Sequence, residues 1–115
     1  VTPTRHFFRR PRTVSPSEAR VLAASGALIV DVRGMREWRR HHIPGSVLIP
    51  LAQLEERMDE LPADRMLITF CTGGLLSSGA ANLLAEFGYD AANMTRGLVG
   101  WRSTGGELVE GDALS

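Results

Sequence analysis

From Thr13 onward, short apolar runs alternate with segments of helical periodicity. Ser15-Pro16-Ser17-Glu18 reads as a capping box: Pro16 takes the first helical position and Glu18 reaches back to the Ser15 amide. The helix it opens should stop at Gly26. Ala27-Leu28-Ile29-Val30 is a continuous apolar run, the mark of a strand buried on both faces, and Val47-Leu48-Ile49 is a second. Leu51, Leu54, Met58 and Leu61 then repeat with acids and Arg57 between them, which predicts an amphipathic helix closed by Pro62. Met66 to Phe70 is a third strand. Leu76, Ala80, Leu83, Leu84 and Phe87 form a second helical stripe, ended by Gly88. A short strand near Ala92 to Thr95 and a helical turn around Leu98 to Arg102 complete the pattern. Strands separated by helices pair in parallel through right-handed crossovers, so the expected fold is α/β: a central parallel sheet flanked by helices on both faces.

Composition narrows the chemistry. At 115 residues the chain suits one domain, and 43% apolar with 23% charged side chains is a globular balance. Thirteen basic residues offset thirteen acidic ones, so no net field favours nucleic acid or an anionic membrane. Every basic residue is arginine; without lysine, Schiff-base catalysis and a phosphate-loop lysine are excluded. Cys71 is the sole cysteine, which excludes an internal disulfide and any multi-cysteine metal site. His41 and His42 are adjacent and assemble no ligand set with one distant thiol, so no metal and no cofactor is expected. No apolar run reaches the roughly 18 residues of a membrane helix. The start has no secretory-signal pattern, and the expected location is cytoplasmic. Residues 1–12, with Arg5, Arg9, Arg10 and Arg12 and no acid, read as a basic arm; residues 13–112 form the domain and 113–115 a tail.

The candidate chemistry lies where the third strand meets its helix. Cys71 ends that strand, and Thr72-Gly73-Gly74-Leu75 lead into a helix beginning near Leu76. Ligands of open parallel sheets bind at the carboxyl ends of strands. Two glycines let successive amides turn inward as an anion-holding nest over Thr72, Gly73, Gly74, Leu75, Leu76 and Ser77, and the helix adds its positive end. Such a cradle favours a thiolate, the nucleophilic form of cysteine. Against this stands the plain reading of a small buried residue ending a strand.

At these residues the chain resembles the rhodanese-like (sulfurtransferase) domain family, from about Thr13 to Asp112. Asp31-Val32-Arg33, then Glu37-Trp38, then His42-Ile43-Pro44-Gly45-Ser46 are similar to that family's first signature. Cys71 with Gly74 and Ser77 is similar to its active-site loop, and Gly97 with Trp101 to its carboxy-terminal signature. The resemblance implies a parallel-sheet α/β fold of the single-domain type. It also implies a catalytic cysteine that takes up a sulfane sulfur as a persulfide and passes it to a thiol or other nucleophilic acceptor. Implied partners are a small sulfur donor and a thiol or protein acceptor.

The loop departs from the thiosulfate-using pattern, which carries arginine directly after the cysteine and again near the loop's end. Those positions are Thr72 and Leu76 here, and no cation stands between Cys71 and Ala92. The expectation is poor use of thiosulfate. Loops of the mercaptopyruvate-using branch also lack these arginines. Cysteine phosphatases of related fold place an arginine six residues after the cysteine, where this chain has Ser77, so phosphatase chemistry is disfavoured. Asp31 and Arg33 either orient the loop or form an internal ion pair holding the turn. In the family context Glu37 is read as a partner of Arg33, and His42 as a turn residue. Trp38 and Trp101 read as packing, and Arg36, Arg39 and Arg40 as a basic cluster, either solvated or beside the site's rim. The leading function is a sulfurtransferase or sulfur carrier working through Cys71. The alternative is a non-catalytic rhodanese-like binding or regulatory module.

Overall fold

The computed structural model of the protein describes residues 12–111. The basic arm lies outside the described residues apart from Arg12, and so does the tail 113–115. In chain order the elements are β1 (Thr13–Val14), α1 (Pro16–Ala24), β2 (Leu28–Asp31), α2 (Met35–Arg40), β3 (Val47–Leu48), α3 (Leu54–Arg57), β4 (Leu67–Phe70), α4 (Leu75–Glu86), β5 (Ala91–Met94) and α5 (Gly97–Ser103). The sheet runs β1-β5-β4-β2-β3 with every pair parallel. The register sets Asp31 opposite Phe70 and Thr69 opposite Asn93, so the ends of β2 and β4 lie side by side.

Alternation along the buried strands separates two cores. Leu28, Val30, Leu67 and Ala91 face Leu54, Met58, Leu83 and Leu84. Ile29, Ile68, Phe70, Ala92 and Met94 face Ala19 and Trp101 on the other side. A strand whose neighbours both bury it needs apolar residues at every position, which is why β2 and β4 read as unbroken runs. Helices on both faces follow, as expected.

The start of α1 is the capping box read from the sequence. The Glu18 amide donates to Ser15 Oγ at 3.1 Å, and Glu18 Oε1 accepts from the Ser15 amide at 2.9 Å. That backbone donor, ahead of the Ser15 side chain, holds the Glu18 carboxyl below the usual carboxylate range.

Two local expectations change, and one strand is added to the pattern. The helix expected over Leu51 to Leu61 is instead a short α-helix between two 3₁₀ turns, Leu51–Gln53 and Met58–Glu60. Its apolar residues recur at spacings of 3, 4 and 3. That mean lies between the 3.0-residue turn of a 3₁₀-helix and the 3.6 of an α-helix. Tightening both ends keeps Leu54, Met58 and Leu61 on one buried side. The stripe expected on α4 is shorter than its apolar letters suggest: Ala80, Leu83 and Leu84 are buried, but Leu76 and Phe87, at the helix's ends, are exposed. The edge strand β1 has two residues, too few to show any periodicity; Val14 and its neighbour join β5 at the open edge.

Candidate active site

The site begins with the parity of β4 and β5. Thr69 and Cys71 share the side of β4 that faces α4, and Asn93 sits on the same side of β5. Polar groups buried between sheet and helix must satisfy one another. Thr69 Oγ1 donates to the Ser77 carbonyl oxygen at 2.8 Å. Asn93 Nδ2 donates to the Gly74 carbonyl at 3.1 Å, which turns its carboxamide oxygen toward Ser77 Oγ, 2.5 Å away. Two strands and the first turn of α4 are thereby tied together immediately behind the thiol.

Cys71 Sγ accepts from the Gly74 amide at 3.1 Å, the Ser77 amide at 3.4 Å and the Ser77 hydroxyl at 3.3 Å. The two amides are fixed donors. The hydroxyl has one hydrogen, so it serves Asn93 Oδ1 or the sulfur, one at a time. Negative charge on sulfur would draw that hydrogen toward it, while Asn93 keeps the oxygen in place. Donors held in advance around an atom that gains charge need no reorganisation as it does so. Cys71 is 4% exposed, and the thiol is free.

The cradle is narrower than the loop. Its bonds to sulfur come from Gly74 and Ser77, not from Thr72, Gly73, Leu75 or Leu76. Leu75 and Leu76 point their bulk toward solvent. Gly74 has φ +89°, and a Cβ there would come within 2.9 Å of the Arg96 amide nitrogen. A side chain on Gly97 would collide with the Cys71 carbonyl oxygen. The Leu98 amide instead lies against the carbonyls of Cys71 and Thr72, at 3.1 and 2.9 Å. Both glycines allow the β5–α5 turn to lie directly on the cysteine loop.

The supporting residues divide. Asp31 and Arg33 form a buried pair, Nη2 to Oδ2 at 2.8 Å, with Nε also on the carboxylate. Arg33 Nη2 further donates to the His41 carbonyl at 2.6 Å, and its guanidinium lies 5.2 Å from the centre of the Phe70 ring. The partner of Arg33 is therefore Asp31, not Glu37. Glu37 Oε1 accepts from the Gly34 amide at 3.2 Å and so closes the start of α2. His42 is buried and gives no hydrogen bond to the sulfur; its ring is stacked on Trp38 with ring centres 3.7 Å apart. Its Nδ1 lies 2.9 Å from the Trp38 carbonyl, an acceptor, so that nitrogen carries the hydrogen. Trp101, too, packs: it is buried and donates Nε1–H to the Glu107 carbonyl. Arg39 and Arg40 line a depression with Arg33, His41 and Arg102 that reaches Thr72. Among the described residues no group of acids, histidines and cysteine is gathered to hold a metal ion. No helix among them is long and apolar enough to cross a membrane.

Thr69 and Asn93 were not singled out by the sequence reading, although a signal existed. Each is a polar residue inside a four-residue strand that is otherwise apolar and wholly buried.

The rhodanese-like domain family model matches residues 15–104. The chain belongs to the rhodanese-like domain family. The thiosulfate sulfurtransferase GlpE of Pseudoalteromonas translucida is 33% identical to this rhodanese-like domain over 91 residues, 78% of this chain and 87% of the relative. An HTH-type transcriptional regulator of Mycobacterium tuberculosis is 32% identical over 90 residues, 76% of this chain; the match spans only 40% of that regulator. Among solved structures, a rhodanese-related protein from Thermoplasma volcanium shares the fold at a TM-score of 0.80 and 23% identity, over 85% of this chain and 97% of that one.

Proposed function

We propose that this rhodanese-like domain is a sulfurtransferase or sulfur carrier that holds a sulfane sulfur on Cys71 as a persulfide. The observation that carries the reading is the set of donors from Gly74 and Ser77 converging on one sulfur atom at the carboxyl end of β4. The Cys71 thiolate attacks the sulfane sulfur of a donor. A sulfur–sulfur bond forms to Cys71 as the donor's own bond to that sulfur breaks, and the donor residue leaves with the electron pair. The second step is the reverse displacement by an acceptor thiolate on the outer sulfur. In both steps the negative charge resides on sulfur, the atom the loop is built to hold.

The same loop bears on donor choice. With Thr72 and Leu76 in place of arginines, it presents amides and a hydroxyl but no guanidinium. A dianion such as thiosulfate gains most from bidentate arginine contacts, so a singly charged or neutral donor fits this loop better. The name of the GlpE relative keeps thiosulfate among the donors to be tried. One observation favours a second reading, a binding or regulatory module: the sulfur is nearly sealed from solvent, and its neighbours already satisfy it.

Intact mass after incubation with thiosulfate, mercaptopyruvate and a small persulfide separates the two. A sulfurtransferase gains the mass of one sulfur atom, released again by cyanide, and Cys71→Ser removes the gain entirely while unfolding stays cooperative. A wild-type protein that takes sulfur from none of the three is the binding module instead.

A further inference from the structure

The cysteine loop has no cation of its own, yet one stands directly against it. Gly74 donates its amide to Cys71 Sγ at 3.1 Å, and a Cβ on that glycine would come within 2.9 Å of the Arg96 amide nitrogen. Arg96, in the turn between β5 and α5, is therefore separated from the sulfur by a single residue. Arg33 and Arg102, also at this end of the molecule, are engaged. Arg33 is held by Asp31 and the His41 carbonyl, and an Arg102 nitrogen lies 3.1 Å from His41 Nδ1. The Arg96 side chain is exposed, and among the described residues its guanidinium makes no hydrogen bond or ion pair.

Arg96 also stands where the backbone is least suited to a side chain. Its φ is +62°, and every other positive φ among the described residues belongs to a glycine. In that region the Cβ of an L-residue crowds its own backbone, a cost that glycine escapes. Gly100, one helical turn on, keeps open the space that the Arg96 side chain needs: a Cβ there would come within 2.7 Å of the Arg96 Cβ. Neither burial nor a side-chain hydrogen bond offsets the strain. Strained residues of this kind gather at functional sites.

We infer that Arg96 is a specificity-determining residue for the sulfur donor. On the persulfide reading above, on which this rests, its guanidinium supplies the positive charge that the cysteine loop lacks. It holds the anionic group of a donor that carries a single carboxylate beside its transferable sulfur. The amides of Gly74 and Ser77 take the charge on sulfur, and Arg96 takes the charge on the rest of the donor through paired hydrogen bonds. Arg96 takes no part in bond making. The Cys71 thiolate forms the new sulfur–sulfur bond as the donor's bond to that sulfur breaks, and the electron pair leaves on the part that Arg96 holds. One guanidinium balances one carboxylate but only half of a dianion, and a neutral donor gains nothing from it.

Iodoacetate and iodoacetamide test this with one alkylating chemistry, with and without a carboxylate. Both act on the sole thiol, Cys71, and neither needs a persulfide. At low salt Arg96→Gly should lower the rate of iodoacetate relative to iodoacetamide about fivefold, and Arg96→Lys should keep most of the preference. High salt should bring wild type and Arg96→Gly together. Glycine suits the positive φ, so the unfolding midpoint of Arg96→Gly should not fall below that of wild type. With mercaptopyruvate, which carries one carboxylate, Arg96→Gly should raise KM about fivefold and change kcat by less than about twofold. A ratio of alkylation rates that Arg96→Gly leaves unchanged overturns the assignment. So does equal slowing of both reagents, which would make Arg96 a residue that shapes the loop. Charge selection by Arg96 in a protein that takes up no sulfur would remove the persulfide reading and leave the anion contact standing. Sulfur uptake from mercaptopyruvate with a KM indifferent to Arg96 would do the reverse.

Discussion

Two turns lie side by side at the carboxyl edge of the sheet, and they differ in what their polar groups are left to do. After β2, Asp31-Val32-Arg33-Gly34 leads into α2; after β4, Cys71-Thr72-Gly73-Gly74 leads into α4. The strands are neighbours, and the Val32 amide bonds the Phe70 carbonyl, so the turns share one environment. In the first, both Asp31 oxygens are engaged by Arg33, which also serves the His41 carbonyl. That turn is chemically finished. In the second, the donors converge on a sulfur atom that can still form a bond. Location at a strand end is thus common to both. On the persulfide reading proposed above, reactivity belongs to the turn whose donors surround a nucleophile instead of a neutralised charge.

The largest effect is expected in the closed turn. Asp31→Ala leaves the Arg33 guanidinium buried without its counter-charge, and breaking a buried pair in this way costs about 3–5 kcal/mol. Denaturant unfolding should show a loss of that size. A loss below about 1 kcal/mol, the range of an exposed pair, would mean the turn opens to water and the contrast between the two turns is overstated.

A smaller loss is expected behind the open turn. Asn93→Ala strips a partner from both the Ser77 hydroxyl and the Gly74 carbonyl, and unsatisfied buried groups cost about 1–3 kcal/mol. Asn93 touches no sulfur, so it is a positioning residue: sulfur uptake should slow because Gly74 and Ser77 are no longer held. Comparing alkylation of Cys71 with sulfur uptake shows which is at work. If both rates and the unfolding midpoint match wild type, the network does not support the loop.

The strands and the helices of the fold were legible where burial imposed a pattern. β2 and β4 announce themselves because both faces are covered, and α1 because its cap is encoded within four consecutive residues, Ser15 to Glu18. The segment over Leu51 to Leu61 was legible as amphipathic but not as fractured, since a spacing of 3, 4 and 3 fits either helix type until the packing is known. Cys71, Gly74 and Ser77 could be read from order along the chain. The ion pair of Arg33 with Asp31 could be read only as one of two alternatives: Glu37, one helical turn further on, was an equally available acid, and the observed side-chain path over Phe70 decides. Asn93 and Thr69 reach the site through register between strands, a relation that no local window contains.

The smallest structural disturbance, and the sharpest question about the open turn, comes from Thr72→Arg. Thr72 is exposed and gives no hydrogen bond to the sulfur, so the exchange should leave stability within the roughly 0.5 kcal/mol typical of surface changes. Leu76→Arg is also tolerable, because Leu76 is exposed and lies outside the packed stripe of α4. If the absence of loop arginines limits the use of a dianion, Thr72→Arg should raise kcat/KM for thiosulfate severalfold and leave a neutral donor little changed. Adding Leu76→Arg should raise it further. The gain should shrink as salt increases, since a charge at the exposed position 72 is screened. Arginine at 72 would also project beside the depression that already holds Arg40 and Arg102, so part of any gain could come from the wider basic field. Repeating the measurement in the Arg40→Glu, Arg102→Glu background separates the two. A gain that persists there belongs to the loop itself, and a stable Thr72→Arg protein with unchanged thiosulfate turnover and salt dependence would show that amides and a hydroxyl are already sufficient for this donor.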